Sequence, residues 1–208
     1  ITVRSIGGSE VTILDGEGMR QVVNCTAGEG SDTVIEGFTI TGGSAQYGGG
    51  VHCSSTSPTI IDCIIDGNMA SDGGGIYSAW GSPIIDGCTF ENNIAWRGGG
   101  IYCSYGNLML IDCIIEGNTA SISGGGGIYG QWDNSIINGC IIRNNNAGVG
   151  GGMYCDDNSQ ALSDCTIEGN TASYYGGGIN CNGGNPVLVD TVVCGNLPSV
   201  FQIYDDED

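Results

Sequence analysis

The amino-acid sequence predicts an all-β parallel β-helix, a solenoid of about 25 residues per coil with three short strands in each coil. Two columns of residues carry that expectation. Gly-Gly-Gly followed by an aliphatic residue ends at Val51, Ile76, Ile101, Ile128, Met153 and Ile179, in steps of 25, 25, 27, 25 and 26 residues. An asparagine column, Asn68, Asn93, Asn118, Asn145, Asn170 and Asn196, advances by the same steps. A third observation excludes the helical alternative. Helical repeats need amphipathic stretches of about 10 residues or more, and triple glycines or β-branched pairs interrupt every such window.

Each element of the coil follows from its residues. In Ile101-Tyr102-Cys103 the outer pair faces one way and Tyr102 the other, as strand geometry requires. The next strand has an invariably apolar position, Ile60, Ile85, Leu110, Ile137, Leu162 and Leu188. Its neighbour varies, with Asp86, Asn138 and Ser163 standing where Ile61 stands. In the third strand Cys113 and Ile115 share the inward face. The glycine triplets supply positive φ and close backbone approach. They precede strands, so they are not phosphate loops. The asparagines follow glycine at a turn, where stacked amides hydrogen-bond along a β stack and left-handed geometry is tolerated. Coils about 4.8 Å apart would make a rod roughly 35–40 Å long.

The chain reads as one domain over residues 1–208, with degenerate coils over 1–47, regular repeats over 48–196 and an acidic tail over 197–208. Phe38-Thr39-Ile40 takes the place of Cys63-Ile64-Ile65 one period earlier, and Val23-Asn24-Cys25 echoes Val51-His52-Cys53. Thr2-Val3 and Val11-Thr12-Ile13-Leu14 read as earlier strands still.

Composition narrows the function. Gly is 40 of 208 residues but Pro only 4, so neither collagen nor a Pro-rich linker fits. There are 23 acids against four arginines, Arg4, Arg20, Arg97 and Arg143, and no lysine, for a net charge of −19. Nucleic acid needs a basic footprint that this chain lacks, and anionic membranes and polyanions are disfavoured by the same charge. No apolar run is long enough to span a bilayer, so membrane insertion is not expected. No signal peptide stands at the start, so a mature form or an excised domain is expected.

The paired motifs Gly99-Gly100-Ile101 and Phe90-Glu91-Asn92-Asn93 resemble the repeats of polymorphic outer-membrane proteins, the passengers of autotransporter-like proteins. Most copies here replace the Phe, as in Ile65-Asp66-Gly67-Asn68, Ile115-Glu116-Gly117-Asn118 and Ile167-Glu168-Gly169-Asn170. The resemblance spans about residues 37–196 and extends to the wider class of right-handed parallel β-helix repeat proteins secreted by bacteria. It implies an extracellular or cell-surface protein used for adhesion or as a scaffold. The departure is that no membrane barrel or anchor is expected within these 208 residues.

Eleven cysteines show no zinc spacing, and their density suits an oxidising setting. One column is Cys63, Cys88, Cys113, Cys140, Cys165; a second is Cys25, Cys53, Cys103, Cys155, Cys181, interrupted by Ser78 and Gly130. Disulfides Cys25–Cys53, Cys63–Cys88, Cys113–Cys140 and Cys155–Cys181 are sterically allowed between coils. In-coil pairs such as Cys53–Cys63 or Cys103–Cys113 are also open, and so is a stack of buried free thiols. Cys194 leaves both columns and is the expected odd thiol.

Three surface readings follow. Asp66, Glu91, Glu116 and Glu168, with Arg143 among them, form an outward acidic column. It reads either as Ca2+ sites between coils or as a solvated face that blocks lateral aggregation; no other cofactor is expected. Tyr77, Tyr102, Tyr129 and Tyr154, with His52 and Asn180 at the ends, form an outward aromatic column for a glycan or a neighbouring rod, or an ordinary cross-strand ladder. Trp80, Trp96 and Trp132 lie near turns beside it. Asp62 and Asp112 share a column with Gly87 between them, His52 stands alone, and no distinctive acid–base pair emerges, so an enzyme is not expected. The expected role is a secreted structural rod. Strand-like ends at Ile1-Thr2-Val3 and Val200–Tyr204, without an amphipathic cap, favour head-to-tail self-assembly into an extracellular filament. A carbohydrate-binding adhesin is the first alternative, and a polysaccharide lyase or hydrolase the second.

Overall fold

The computed structural model describes residues 1–122, 124–157 and 159–198, and the backbone strand at 203–205. Its coils stack in parallel around one apolar interior. The coil that starts at Val51 shows the plan: strands Val51–Ser54, Thr59–Ile61, Ile64–Asp66 and Met69–Asp72, then the glycine triplet. The coil therefore has four strands where three were expected. The first three are those read from the sequence; the fourth follows each column asparagine. Its inward residues are Ala70, Ala95, Ala120, Ala147 and Ala172, all buried. Alanine buries so little surface that this column carries a weak apolar signal.

The first face stacks eight strands, from Val23–Cys25 through Val51–Ser54 to Ile203–Asp205. The second face also stacks eight, from Thr2–Arg4 to Val187–Val189. The third and fourth faces join through one long strand, Thr39–Tyr47, whose first half pairs with Ile64–Asp66 and second half with Met69–Asp72. The degenerate early coils keep the expected register: Ile40 pairs with Ile65, Cys25 with Cys53, and Val3 with Ile35. Residues 199–202 and 206–208, most of the acidic tail, lie outside the described residues.

Inward columns make the core. Ile76, Ile101, Ile128 and Ile179 fill the first face, Ile60, Ile85, Leu110 and Ile137 the second, and Ile65, Phe90, Ile115 and Ile142 the third, all essentially inaccessible to water. At about 25 cal/mol per Å2 of apolar area removed from water, these columns are the main favourable term.

The glycine triplet is a point of backbone contact between coils. A Cβ on Gly74 would stand 2.5 Å from the carbonyl oxygen of Gly99 and 2.7 Å from that of Ile94. Any side chain there would push two coils apart. Gly73, first of its triplet, has φ +66°, which only glycine adopts without cost.

Candidate functional site

The asparagine ladder joins coils through hydrogen bonds. The backbone N–H and the Nδ2 of Asn93 both donate to Oδ1 of Asn118, at 3.0 Å each. The same Nδ2 donates to the carbonyl of Ile65 at 2.8 Å. One amide thus ties three successive coils. The arrangement repeats from Asn68 through Asn196, and every member is buried.

The cysteines divide into two chemistries. All eleven are free thiols; the ten in the columns are buried and Cys194 is exposed. In the column of Cys63 to Cys165 the sulfur completes a turn. Backbone N–H of Cys113 donates to Sγ of Cys140 at 3.4 Å, and the Cys113 thiol donates to the carbonyls of Ile111 at 3.2 Å and Ile85 at 3.5 Å. One coil beyond Cys165, Thr191 takes over the same work: its hydroxyl accepts from the Cys165 N–H at 3.4 Å and donates to the Val189 carbonyl at 3.0 Å. At that position a hydroxyl makes the contacts that a thiol makes elsewhere in the column. The Cys63–Cys88 and Cys113–Cys140 pairs drawn from spacing are held here as thiol ladders. In the other column the Cys25 thiol is shifted down by its hydrogen bond with Cys53, and the Cys53 thiol is pushed up by it. Hydrogen bonding to Cys181 and burial push Cys155 up as well. Cys25–Cys53 and Cys155–Cys181 also remain thiols in the structure.

Gly130 interrupts that column, and a buried polar cluster bonds to the cysteines on either side of it, Cys103 and Cys155. Asp133 lies there almost fully buried, with Ser135 donating to its carboxylate and Gln160 Nε2 donating at 3.3 Å. Burial holds the Asp133 carboxyl above the ordinary carboxylate range. It also pushes the Cys103 thiol, beside Ser135, up to about 12.

The acidic column stands in register on the third face: Asp66, Glu91, Glu116, Arg143 and Glu168 pair strand to strand, and Cys194 continues it. Arg143 neutralises Glu116 at 2.7 Å, and Asn92 donates to Asp66 at 2.9 Å. Burial and then the neighbouring Asp66 and Glu116 hold Glu91 above the usual range. Among the described residues no group of three or more His, Cys, Asp or Glu converges to hold a metal ion.

The tyrosine column is in register too, with rings of Tyr77, Tyr102, Tyr129 and Tyr154 stacked 5.0–5.2 Å apart. The sequence left this column open as a binding face or a cross-strand ladder; its end rings, Tyr77 and Tyr154, are partly exposed and its middle rings are covered. Tyr102 and Tyr129 are only 4% and 5% exposed. The Arg97 guanidinium lies 5.2 Å and 5.7 Å from their ring centroids, held by a bidentate pair to Asp72 at 2.8 Å. Burial raises the Tyr102 phenol to about 12. Arg97 and Asp72 belong to the fourth face, which the sequence reading did not contain, so their cover over the tyrosines was not foreseen.

A different aromatic stack is open. Trp80, Tyr105 and Trp132 occupy the turn after the first face and are 60%, 48% and 46% exposed. Trp80 and Tyr105 are parallel within 5° at 5.5 Å, and Tyr105 meets Trp132 at 5.0 Å. All three are left-handed, with φ of 55°, 52° and 48°, a conformation that costs an ordinary side chain about 1–2 kcal/mol. Besides the first glycine of each triplet, the other left-handed turn columns are filled by residues that tolerate it: Asp62, Gly87, Asp112, Gly139 and Asp164, and Gly67, Asn92, Gly117, Asn144 and Gly169. The indole Nε1 of Trp132 donates to Asp157, the next residue of its column, at 3.2 Å.

No curated protein and no solved structure is matched by the chain. Residues 23–196 match the family model described as the right-handed β-helix region, and with coils that stack in parallel through that whole span, the chain belongs to the right-handed β-helix family.

Proposed function

We propose that this β-helix works as a stiff structural rod, secreted or displayed on the cell surface. The observation that supports it most is the continuous Asn68–Asn196 ladder: inward polar groups are spent in tying each coil to the next, which makes a long, uniform, rigid body. The column of turn thiols adds a second set of coil-to-coil bonds. Outward carboxylates are spread along the rod and in part neutralised, as Glu116 is by Arg143, which suits a solvated surface more than acid–base chemistry.

Head-to-tail association is part of this reading. Val3 belongs to the inward column of Ile35 and Ile60 yet is 51% exposed. Another coil of the same cross-section, from a second copy or from further chain, would cover it. Negative-stain electron microscopy of the purified protein, with and without reductant, tests the proposal. Straight rods that join end to end, with an axial repeat of one rod length, are the expected result. Rods that stay dispersed in both conditions overturn the self-assembly, and compact or collapsed particles overturn the rod itself.

A further inference from the structure

We propose that Trp80, Tyr105 and Trp132 form a binding site for an uncharged glycan chain that runs along the rod axis. Four columns of this solenoid need left-handed residues. Through the regular coils three contain only glycine, asparagine or aspartate, which the geometry favours, and one places three large aromatic rings there, in successive coils and open to water. Backbone geometry and burial both disfavour that choice, and strained positions that persist point to use.

The stack already orders its own rings, so a ligand meets a preformed surface. Trp80 has Ser55 as its column neighbour in the preceding coil, so the stack ends there on a small residue. At the other end the hydrogen bond to Asp157 fixes the Trp132 indole. Two residues further along each turn stand Ser82, Asn107 and Asn134, all exposed, a line of hydroxyl and amide groups parallel to the rings. Stacked on one another, the rings turn their edges to solvent, and those edges, flanked by neutral donors and acceptors, fit the C–H groups and hydroxyls of a sugar chain. Residues 76–84, 101–109 and 128–136 contain no Lys or Arg, and the chain carries a net charge of −19, so a polyanion is repelled. This site is separate from the covered tyrosine column and does not depend on the rod assembling end to end.

The test is affinity electrophoresis of the full chain through gels containing a neutral β-glucan, xylan or galactomannan, with polygalacturonate as the anionic control. The expected result is retardation by at least one neutral polymer and none by polygalacturonate. The triple variant Trp80→Asn, Tyr105→Asn, Trp132→Asn should lose that retardation at least tenfold. Its unfolding midpoint should be equal to or above the wild type's, because Asn suits φ near +50°. No retardation by any of the three neutral polymers overturns the proposal. So does equal retardation by polygalacturonate, or a triple variant that binds as before. A triple variant that unfolds more easily while the wild type shows no retardation assigns the stack to stability alone and overturns it as well.

Discussion

Oδ1 of Asp62 lies 2.6 Å from where a Cβ on Gly87 would stand, one coil further on. The carboxylate uses the space that the glycine leaves. The Asp112 carboxylate meets Gly139 in the same way, and on the neighbouring turn the Asn144 amide oxygen lies 2.8 Å from a Cβ position on Gly169. Over Asp62–Asp164 and Gly67–Gly169 these two left-handed turns therefore alternate a polar side chain with glycine, and the unit that repeats in them is two coils, not one. This explains why Asp-Cys-Ile-Ile-Asp-Gly-Asn at 62–68 returns most closely two coils later, over 112–118.

Gly87→Ala is expected to lower stability by about 2 kcal/mol, from left-handed strain together with the contact on Asp62. Adding Asp62→Gly should recover the contact part and leave the strain. Urea unfolding of the two single variants and the double variant separates them: a positive coupling energy is the expected result, and strict additivity would refute the packing account.

Asn118→Ala removes the acceptor for two donors of Asn93 and the donor to the Phe90 carbonyl, all buried. At about 1–3 kcal/mol for each buried group left unpaired, the variant should lose roughly 3 kcal/mol or more. Amide hydrogen exchange should show the Asn93 N–H losing its protection before those of distant coils.

The thiol ladder predicts a comparison between two isosteric replacements. Cys140→Thr restores the pattern that Thr191 makes, whereas Cys140→Val leaves the Cys113 N–H without its acceptor. Cys140→Thr should be more stable than Cys140→Val by about 1 kcal/mol. Equal unfolding midpoints would reduce the column to apolar packing.

Asp133 predicts the direction of a pH effect. Burial raises its folded-state affinity for a proton, so the carboxyl imposes no cost at a pH below its unfolded value of about 3.9. As pH rises from there toward the raised folded value, the unfolded chain ionises and the folded one does not, and stability falls by up to about 1.4 kcal/mol per pH unit. Asp133→Asn should remove that slope. Thermal unfolding across pH 4 to 8 should show the variant gaining on the wild type as pH rises; parallel curves would refute it.

Much of the fold was legible because a solenoid writes each structural column into the sequence at a fixed interval. The register of the early coils, the inward Ile60 and Cys63 columns and the Asn ladder could be read from spacing alone. The fourth strand was missed although Ala70, Ala95, Ala120, Ala147 and Ala172 keep the same spacing, because alanine after asparagine gives little hydrophobic contrast. The surface was less legible. Spacing placed Tyr102 and Tyr129 outward, yet outward on one face is not exposed when the segment after the preceding fourth-face strand folds over it, as Arg97 does. Trp80 and Trp132 were visible as turn residues, but nothing in the spacing showed that their turn is left-handed and their rings open.

By itself the sequence determined the coil, its period, its parallel stacking and the identity of its ladders, because in-register stacking turns a linear repeat into aligned columns. Only the tertiary structure decided which columns are covered, which sulfurs act as hydrogen-bond partners, and that the open aromatic surface is Trp80–Tyr105–Trp132. Those properties depend on how the four faces of a coil turn toward one another. Arg97 pairs with Asp72 along the fourth face, but its contacts with Tyr102 and Tyr129 cross to the first face and follow no single column.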